Sequence, residues 1–548
     1  MLTGNLKPAK IPLMAPRRTA NVMLAAALLL AVGTSAVLAK QITLRMKGGG
    51  FQVQGDLKAF DSTKYTIFSN TLGTMSLDAS RFDCLGDNCP SGSLAAPVEV
   101  AALVSGSTGN VQIAGSNTIG NQLMPSLIQS YAARNNFTTT KIVGENPLDV
   151  TFKIADASNR EVAEISLARY GSSTSFRALL DGAAQIGMSS RPIKDKEVAS
   201  LSGVGLGDMR APTHEHIIGL DGLLIITSEE NPAVALPLDK IAQIFSGQIT
   251  DWGQLGMPPG KINVYAPSSD SGTFDTFKSL VLKPNKVKLV DNAKRTPNHS
   301  EQSDLVARDP LGIGVVGIAY QRNAKALNIE TSCGLISKPT RFSMKTEEYP
   351  LTRRLYLYTA GQPEDSLARG LLEFATSKDA QPIVDASDFI DQTPVGLPFI
   401  DQSPRIAFAL NATADDFDMP LMRDMISTLK DAERMSATLR FQTGVSKLDN
   451  KSLADIKRLR NILSQPTYKG KTIMIVGYAD SVGAFSLNRD LSRQRAKAVQ
   501  TALLAEEKDK LAGLKVATYA FSELAPVACN DAENGRRFNR RVEIWVGE

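Results

Sequence analysis

Histidine and cysteine are scarce in this 548-residue chain, with three and four copies respectively. His214, His216 and His299 form no recognised metal-ligand spacing, and no serine sits in a nucleophile elbow with histidine and acid partners. The sequence therefore offers no metal centre, no cofactor and no catalytic triad, and it reads as a non-enzyme. Cys84 and Cys89 bracket a turn-rich Leu-Gly-Asp-Asn, a spacing suited to a short-loop disulfide in an oxidising compartment. Cys333 and Cys529 fall in different modules and are expected as buried free thiols. Surplus charge is also lacking. The formal net charge is +5, but residues 1–39 hold Lys7, Lys10, Arg17 and Arg18 and no acids. Without them 57 basic residues face 56 acidic ones, and nothing there predicts nucleic-acid binding.

Long apolar runs are missing after residue 39. The first 39 residues combine a basic segment, an apolar run from Val22 to Val32 and small residues ending Val37-Leu38-Ala39, the pattern of a secretory signal. Cleavage after Ala39 is the expectation. The alternative is a retained anchor, because Val22 to Ala39 is eighteen uncharged residues, the lower limit for a span. Arg17-Arg18 leaves general and twin-arginine export both open. No cysteine lies near the cleavage point to take a lipid.

At this length three or four domains are expected. From residue 40 to about 97, short alternating runs such as Ile42-Thr-Leu44 and Tyr65-Thr-Ile67-Phe68 predict a small antiparallel β unit. Residues 98–110 read as a linker. Residues 111–397 alternate strand-like and helix-like patterns, an α/β architecture. Within them one unit recurs: Val111-Gln-Ile113 into Gly115-Ser116-Asn117-Thr118, Ile165-Ser-Leu167 into Gly171-Ser172-Ser173-Thr174, and Ile262-Asn-Val264 into Ser269-Asp270-Ser271-Gly272-Thr273. Each runs on into an amphipathic helix. Helix N-termini carry unpaired N–H groups and partial positive charge, and hydroxyls add donors, so three such ends in one cleft would coordinate a small oxyanion. Gly396-Leu397-Pro398 and Asp401-Gln-Ser-Pro404 mark a boundary, followed by a linker and helix over 398–424, with a helical pattern from Met422 to Leu439.

The central module resembles the phosphate-binding periplasmic proteins that feed ABC transporters. Beyond the three loops, the likeness includes Asp181-Gly-Ala-Ala-Gln-Ile-Gly187-Met-Ser-Ser190-Arg191-Pro192, Phe245-Ser-Gly247-Gln-Ile-Thr-Asp251-Trp252 and Tyr349-Pro350-Leu-Thr-Arg353. The resemblance implies a two-lobed clamshell. It also implies phosphate contacts from Thr118, Ser172, Ser190, Ser271, Gly272 and Thr273, with Ser116, Ser173 and Thr174 as neighbours. Many such proteins place an aspartate where Ser190 stands and an arginine where Pro267 stands. Arg191 could supply that charge or be a surface residue, and Asp270 is a second possible proton acceptor.

Residues 425–548 are similar to OmpA-like peptidoglycan-binding domains on Gly477-Tyr-Ala-Asp480-Ser-Val-Gly483, Asn488-Arg-Asp-Leu491-Ser492-Arg-Gln-Arg495-Ala496 and Asn539-Arg540-Arg541-Val542-Glu543-Ile544. This likeness implies a βαβαββ fold in which Asp480 takes the ammonium of diaminopimelate and Arg495 its carboxylate. Asn488 and one arginine of the Arg540-Arg541 pair would assist. A planar guanidinium suits a carboxylate through two parallel bonds. Tyr478 and Ala479 depart from the usual His and Thr. Together the two resemblances imply a periplasmic, peptidoglycan-associated or outer-membrane-associated binder of phosphate or a related oxyanion, with an ABC permease as a possible partner. The alternative is a structural envelope protein whose clamshell does not serve transport.

Overall fold

The computed structural model describes residues 40–47, 52–60, 64–69, 73–79, 81–85, 89, 109–269, 271–296, 298–411, 418–441, 447–505, 511 and 513–548. The expected export signal, most of the expected linker and Asp270 lie outside the described residues.

Strands Lys40–Met46, Gln52–Phe60, Lys64–Ser69, Gly73–Asp78 and Phe82–Leu85 form one antiparallel sheet. Alternation sends Ile42, Leu44, Val53, Tyr65 and Ile67 to its buried face. Cys84 and Cys89 are joined by a disulfide at its end.

The central module is a two-lobed α/β clamshell built on one continuous sheet. Its first lobe holds Asn110–Gly115, Thr138–Val143, Asp149–Ala155, Glu161–Ala168 and Ile186–Ser189. Val111, Ile113, Phe152, Ile186 and Leu371 are fully buried in the core of that lobe. The second lobe holds Asn263–Pro267, Lys294–Thr296 and Gly312–Gly317 around Leu224, Ile226, Phe245, Phe277 and Val315. The long strand Glu215–Thr227 joins them. Its first part pairs with Thr352–Tyr358 and its last five residues with Gly312–Gly317. From Ile217 onward it is buried at every position, as a strand covered on both faces must be.

Each of the three recurring units folds as strand, loop and helix. Asn110–Gly115 leads to helical turns from Ile119 to Arg134, Glu161–Ala168 to Ser172–Leu180, and Asn263–Pro267 to Gly272–Phe277 and onward to Leu282. All three loops sit at the carboxyl ends of their strands, where parallel α/β sheets bind ligands.

The C-terminal module has the sheet order Gly396–Pro398, Glu433–Arg440, Arg541–Gly547, Thr472–Gly477, Lys515–Ala520. Helices Asn450–Leu463 and Phe485–Leu504 cover one face, and Ser403–Leu410 with Met419–Leu429 the other. The helical pattern expected to run to Leu439 ends at Leu429, and Glu433–Arg440 is a strand. Arg434, Ser436 and Thr438 are buried with their apolar neighbours, so charge pairing rather than hydropathy fills that side of the strand.

Clamshell and C-terminal module meet through a dense set of ion pairs. Arg354 bonds Glu347 at 2.5 Å and Asp449 at 2.8 Å, while Arg440 reaches Glu347 at 3.0 Å. Arg434 pairs with Glu348 and, at 3.3 Å, with Glu543, which also takes Arg405 at 2.6 Å and Arg541 at 2.8 Å. Burial alone would raise the Glu543 carboxyl, and Arg405, Arg434 and Arg541 outweigh it and hold it well below the usual carboxylate range. Asn450 donates to Glu215 Oε1 at 2.9 Å, at the start of the long strand. Cys333 and Cys529, expected as free thiols, are instead joined in a disulfide. Their 196-residue separation hides a contact that exists only because the two modules pack together. Among the described residues no helix is long and apolar enough to cross a membrane.

Candidate functional site: an oxyanion cleft and a zwitterion site

The three hydroxyl-rich loops converge. Gly115 turns its strand end at φ +134°, and a Cβ there would lie 2.1 Å from the Met188 carbonyl, so only glycine lets the first loop pass beside the neighbouring strand. Ser116 follows, fully buried, and Thr118 enters the helix. Ser172 opens its helix after Gly171, and its Oγ accepts the Ser190 N–H at 3.0 Å and lies 3.2 Å from Ser190 Oγ. Ser271 caps its helix by accepting the Thr273 N–H at 3.2 Å. A Cβ on Gly272 would meet Thr118 Oγ1 at 2.2 Å, so the two lobes touch across the cleft.

At the meeting point lies Arg353. Its Nη2 donates to Thr118 Oγ1 at 2.9 Å and to the Gly272 carbonyl at 3.1 Å, and its Nη1 donates to Ser190 Oγ at 3.1 Å. Asp221 holds it from behind, accepting Nε at 3.1 Å. The Arg353 side chain is 10 % exposed and that of Asp221 9 %. Burial lowers the Arg353 pKa from its ordinary value, and Asp221 opposes that shift. A planar cation held by one carboxylate, bonded to two hydroxyls of the first lobe and to a backbone carbonyl of the second, is chemically matched to an oxyanion.

Arg191 is elsewhere engaged. It grips Glu197 through two bonds of 2.7 and 2.9 Å, donates to Ser173 Oγ at 3.1 Å and lies over the Phe176 ring. Thr174 donates its hydroxyl back to the Gly171 carbonyl, a capping contact. Neither is directed to the Arg353 cluster. The motif reading does not single out Arg353 or Asp221, although a readable signal exists: Arg353 and Arg354 are adjacent charges opening a strand that continues Leu-Tyr-Leu-Tyr.

In the C-terminal module Asp480 sits on the loop after Thr472–Gly477 and is 8 % exposed. Its Oδ1 accepts the Val482 N–H at 3.1 Å and its Oδ2 the Arg540 guanidinium at 2.7 Å. Arg495, half-buried on helix Phe485–Leu504, lies over the Phe441 ring. Its pKa is lowered by burial first and Arg540 second, with Asp480 opposing, so the three charges share one electrostatic neighbourhood. Asn488 is buried on the same helix and donates to Glu523 at 2.9 Å. Arg541, in contrast, is fully enclosed, bonding Glu543 and the Ala525 carbonyl and covering the Tyr478 ring. Of the arginine pair, the structure brings Arg540 to Asp480 and turns Arg541 into the core.

Residues 102–379, just over half of the chain, match the family model described as the PBP superfamily domain. The chain belongs to the PBP superfamily. Residues 440–540 match the OmpA family. The PBP-superfamily part is similar to the phosphate-binding protein PstS of Borreliella burgdorferi, 28% identical over 229 residues that span 40% of this chain and 77% of that protein. The protein of the same name from Staphylococcus epidermidis is 27% identical over 239 residues, 42% of this chain and 71% of the relative. Among solved structures, an ABC-type phosphate transport receptor from Vibrio cholerae aligns at 21% identity and TM-score 0.40, covering 51% of this chain and 99% of the receptor. PstS from Borrelia burgdorferi aligns at 22% identity and TM-score 0.38, over 52% and 98% of the two chains. Within the PBP-superfamily module, the Arg353 cluster lies where the two lobes face each other.

Proposed function

We propose that this protein captures inorganic phosphate, or a closely related oxyanion, between its lobes, and that its OmpA-family domain holds it noncovalently to peptidoglycan. The observation that carries the reading is the closure of Thr118, Ser190 and Gly272, from three separate loops and both lobes, on the single buried guanidinium of Arg353. The PstS relatives, named as phosphate-binding proteins, support the choice of ligand. Thr118, Ser172, Ser190 and the Ser271-Gly272-Thr273 helix start supply donors, with Ser116, Ser173 and Thr174 shaping the loops. Arg353 takes the part of the positive charge that the resembled proteins carry where Pro267 stands. Delivery to an ABC permease, in the periplasm, is the role this capture would serve.

For the wall domain, Asp480 and Arg540 form a pair that a zwitterion can open, its ammonium taking Asp480 and its carboxylate taking Arg495 and Arg540. The binding chemistry is reversible throughout and includes no covalent step. One set of measurements tests both halves. Calorimetry on the full chain is expected to give phosphate binding that Arg353→Gln weakens at least tenfold, since charge-assisted bonds to a buried group are worth about 1.5–3 kcal/mol. Sedimentation with purified sacculi is expected to be lost in Asp480→Ala and in Arg495→Ala. Absence of phosphate and sulfate binding removes the capture reading and leaves the structural one, and undiminished sedimentation of the two variants removes the wall-site assignment.

A further inference from the structure

Behind the third loop lies a histidine that none of the motifs uses. His299 opens helix His299–Ala307, which Asn298 caps by accepting the Ser300 and Glu301 N–H groups. Its ring packs on Tyr320 with centroids 5.1 Å apart. Its Nε2 lies 3.2 Å from Ser271 Oγ, and its Nδ1 is buried with no hydrogen-bond partner.

The unpartnered nitrogen decides the tautomer. A proton on Nδ1 would bury an unsatisfied N–H, whereas a proton on Nε2 leaves only an unused lone pair at Nδ1. The ring therefore carries its proton on Nε2 and donates to Ser271. Burial keeps the imidazole below its ordinary value, with Asp221 opposing, so the neutral ring is the form present near pH 7.

Ser271 Oγ then accepts twice, from His299 Nε2 and from the Thr273 N–H. Both lone pairs are taken, and the one capacity left to the hydroxyl is its hydrogen. We infer that His299 is a positioning residue that makes Ser271 an obligate donor toward the cleft, so that this position accepts only an unprotonated oxygen of the ligand. The inference rests on the oxyanion reading above and adds to it a residue outside the three loops that sets which hydrogen-bond sense the site presents.

The test is calorimetry with inorganic phosphate on the full chain, comparing the native protein with His299→Phe, His299→Gln, Ser271→Ala and the double variant His299→Phe/Ser271→Ala. Phenylalanine keeps the packing on Tyr320 and removes the donor, while glutamine places an amide donor near the Nε2 position. The expected result is a loss of about five- to tenfold in His299→Phe, the size of one hydrogen bond. Affinity should return to within about twofold in His299→Gln, and His299→Phe should cost nothing further once Ser271 is alanine. Equal losses from His299→Phe in both backgrounds, or His299→Gln as weak as His299→Phe, would overturn the inference while leaving phosphate capture intact. A native protein that binds no phosphate overturns both. Should His299→Phe fail to fold, His299→Leu, which also removes the donor, takes its place in the same cycle with Ser271→Ala, and equal losses in both backgrounds would again overturn the inference.

Discussion

Arg353 and Arg354 occupy successive positions of one strand and therefore address opposite faces of the sheet. The first enters the cleft and bonds Thr118, Ser190 and Asp221, and the second reaches Asp449 in the C-terminal module. His216, on the strand beside them, is another residue whose environment fixes its charge. Its pKa is pushed down to about 4, by burial first and by the neighbouring His214 second. The unfolded chain takes up a proton near 6.5 that the folded protein refuses until about pH 4, so this contribution to stability is complete above pH 6.5 and lost as pH falls from 6.5 toward 4. The full effect is about 3 kcal/mol. Denaturant unfolding of the native protein and of His216→Gln at several pH values should therefore diverge across that window, and parallel curves would refute the assignment. Individual roles were the least legible part of the sequence. The hydroxyls of Thr118, Ser172, Ser190 and Ser271 could be read from their motifs, but Arg353, Asp221 and His299 become neighbours only through the sheet and the closure of the lobes.

The repeated element is a strand that ends in a glycine- or serine-rich loop and opens a helix, and its recurrence made the α/β architecture readable, whereas the two lobes followed only from the family resemblance. Period-two apolar residues, a Ser/Thr/Gly interruption and period-3.6 residues follow one another three times within a few turns of chain. Glu433–Arg440 was not readable in that way, because Arg434 and Arg440 are buried by pairing with Glu348 and Glu347 and break the apolar alternation. The turn at Gly115 gives this scale its prediction. Alanine there would place a methyl 2.1 Å from the Met188 carbonyl at a positive φ, forcing apart two strands of the first lobe. Gly115→Ala is expected to lower stability by about 2–4 kcal/mol and to displace Ser116 and Thr118. Thermal unfolding together with phosphate calorimetry checks it, and unchanged values for both would contradict the packing described.

At the scale of the molecule, the Cys333–Cys529 bond and the Arg354–Asp449 and Arg434–Glu348 pairs join modules that the sequence presents as separate. Domain boundaries read from glycine and proline show where modules change and say nothing of whether they dock. Removing the cross-link in Cys333→Ser/Cys529→Ser frees a loop of nearly two hundred residues in the unfolded state and should cost about 2–5 kcal/mol. In calorimetry the native chain is expected to melt these two modules together and the double variant to melt them in separate steps. Coincident melting in both would show that the ion pairs suffice. The disulfide also fixes a direction. On the proposed reading, a wall-bound copy is a post with a fixed head, not a float on a leash: the mouth of its cleft keeps one bearing relative to the face that holds the wall.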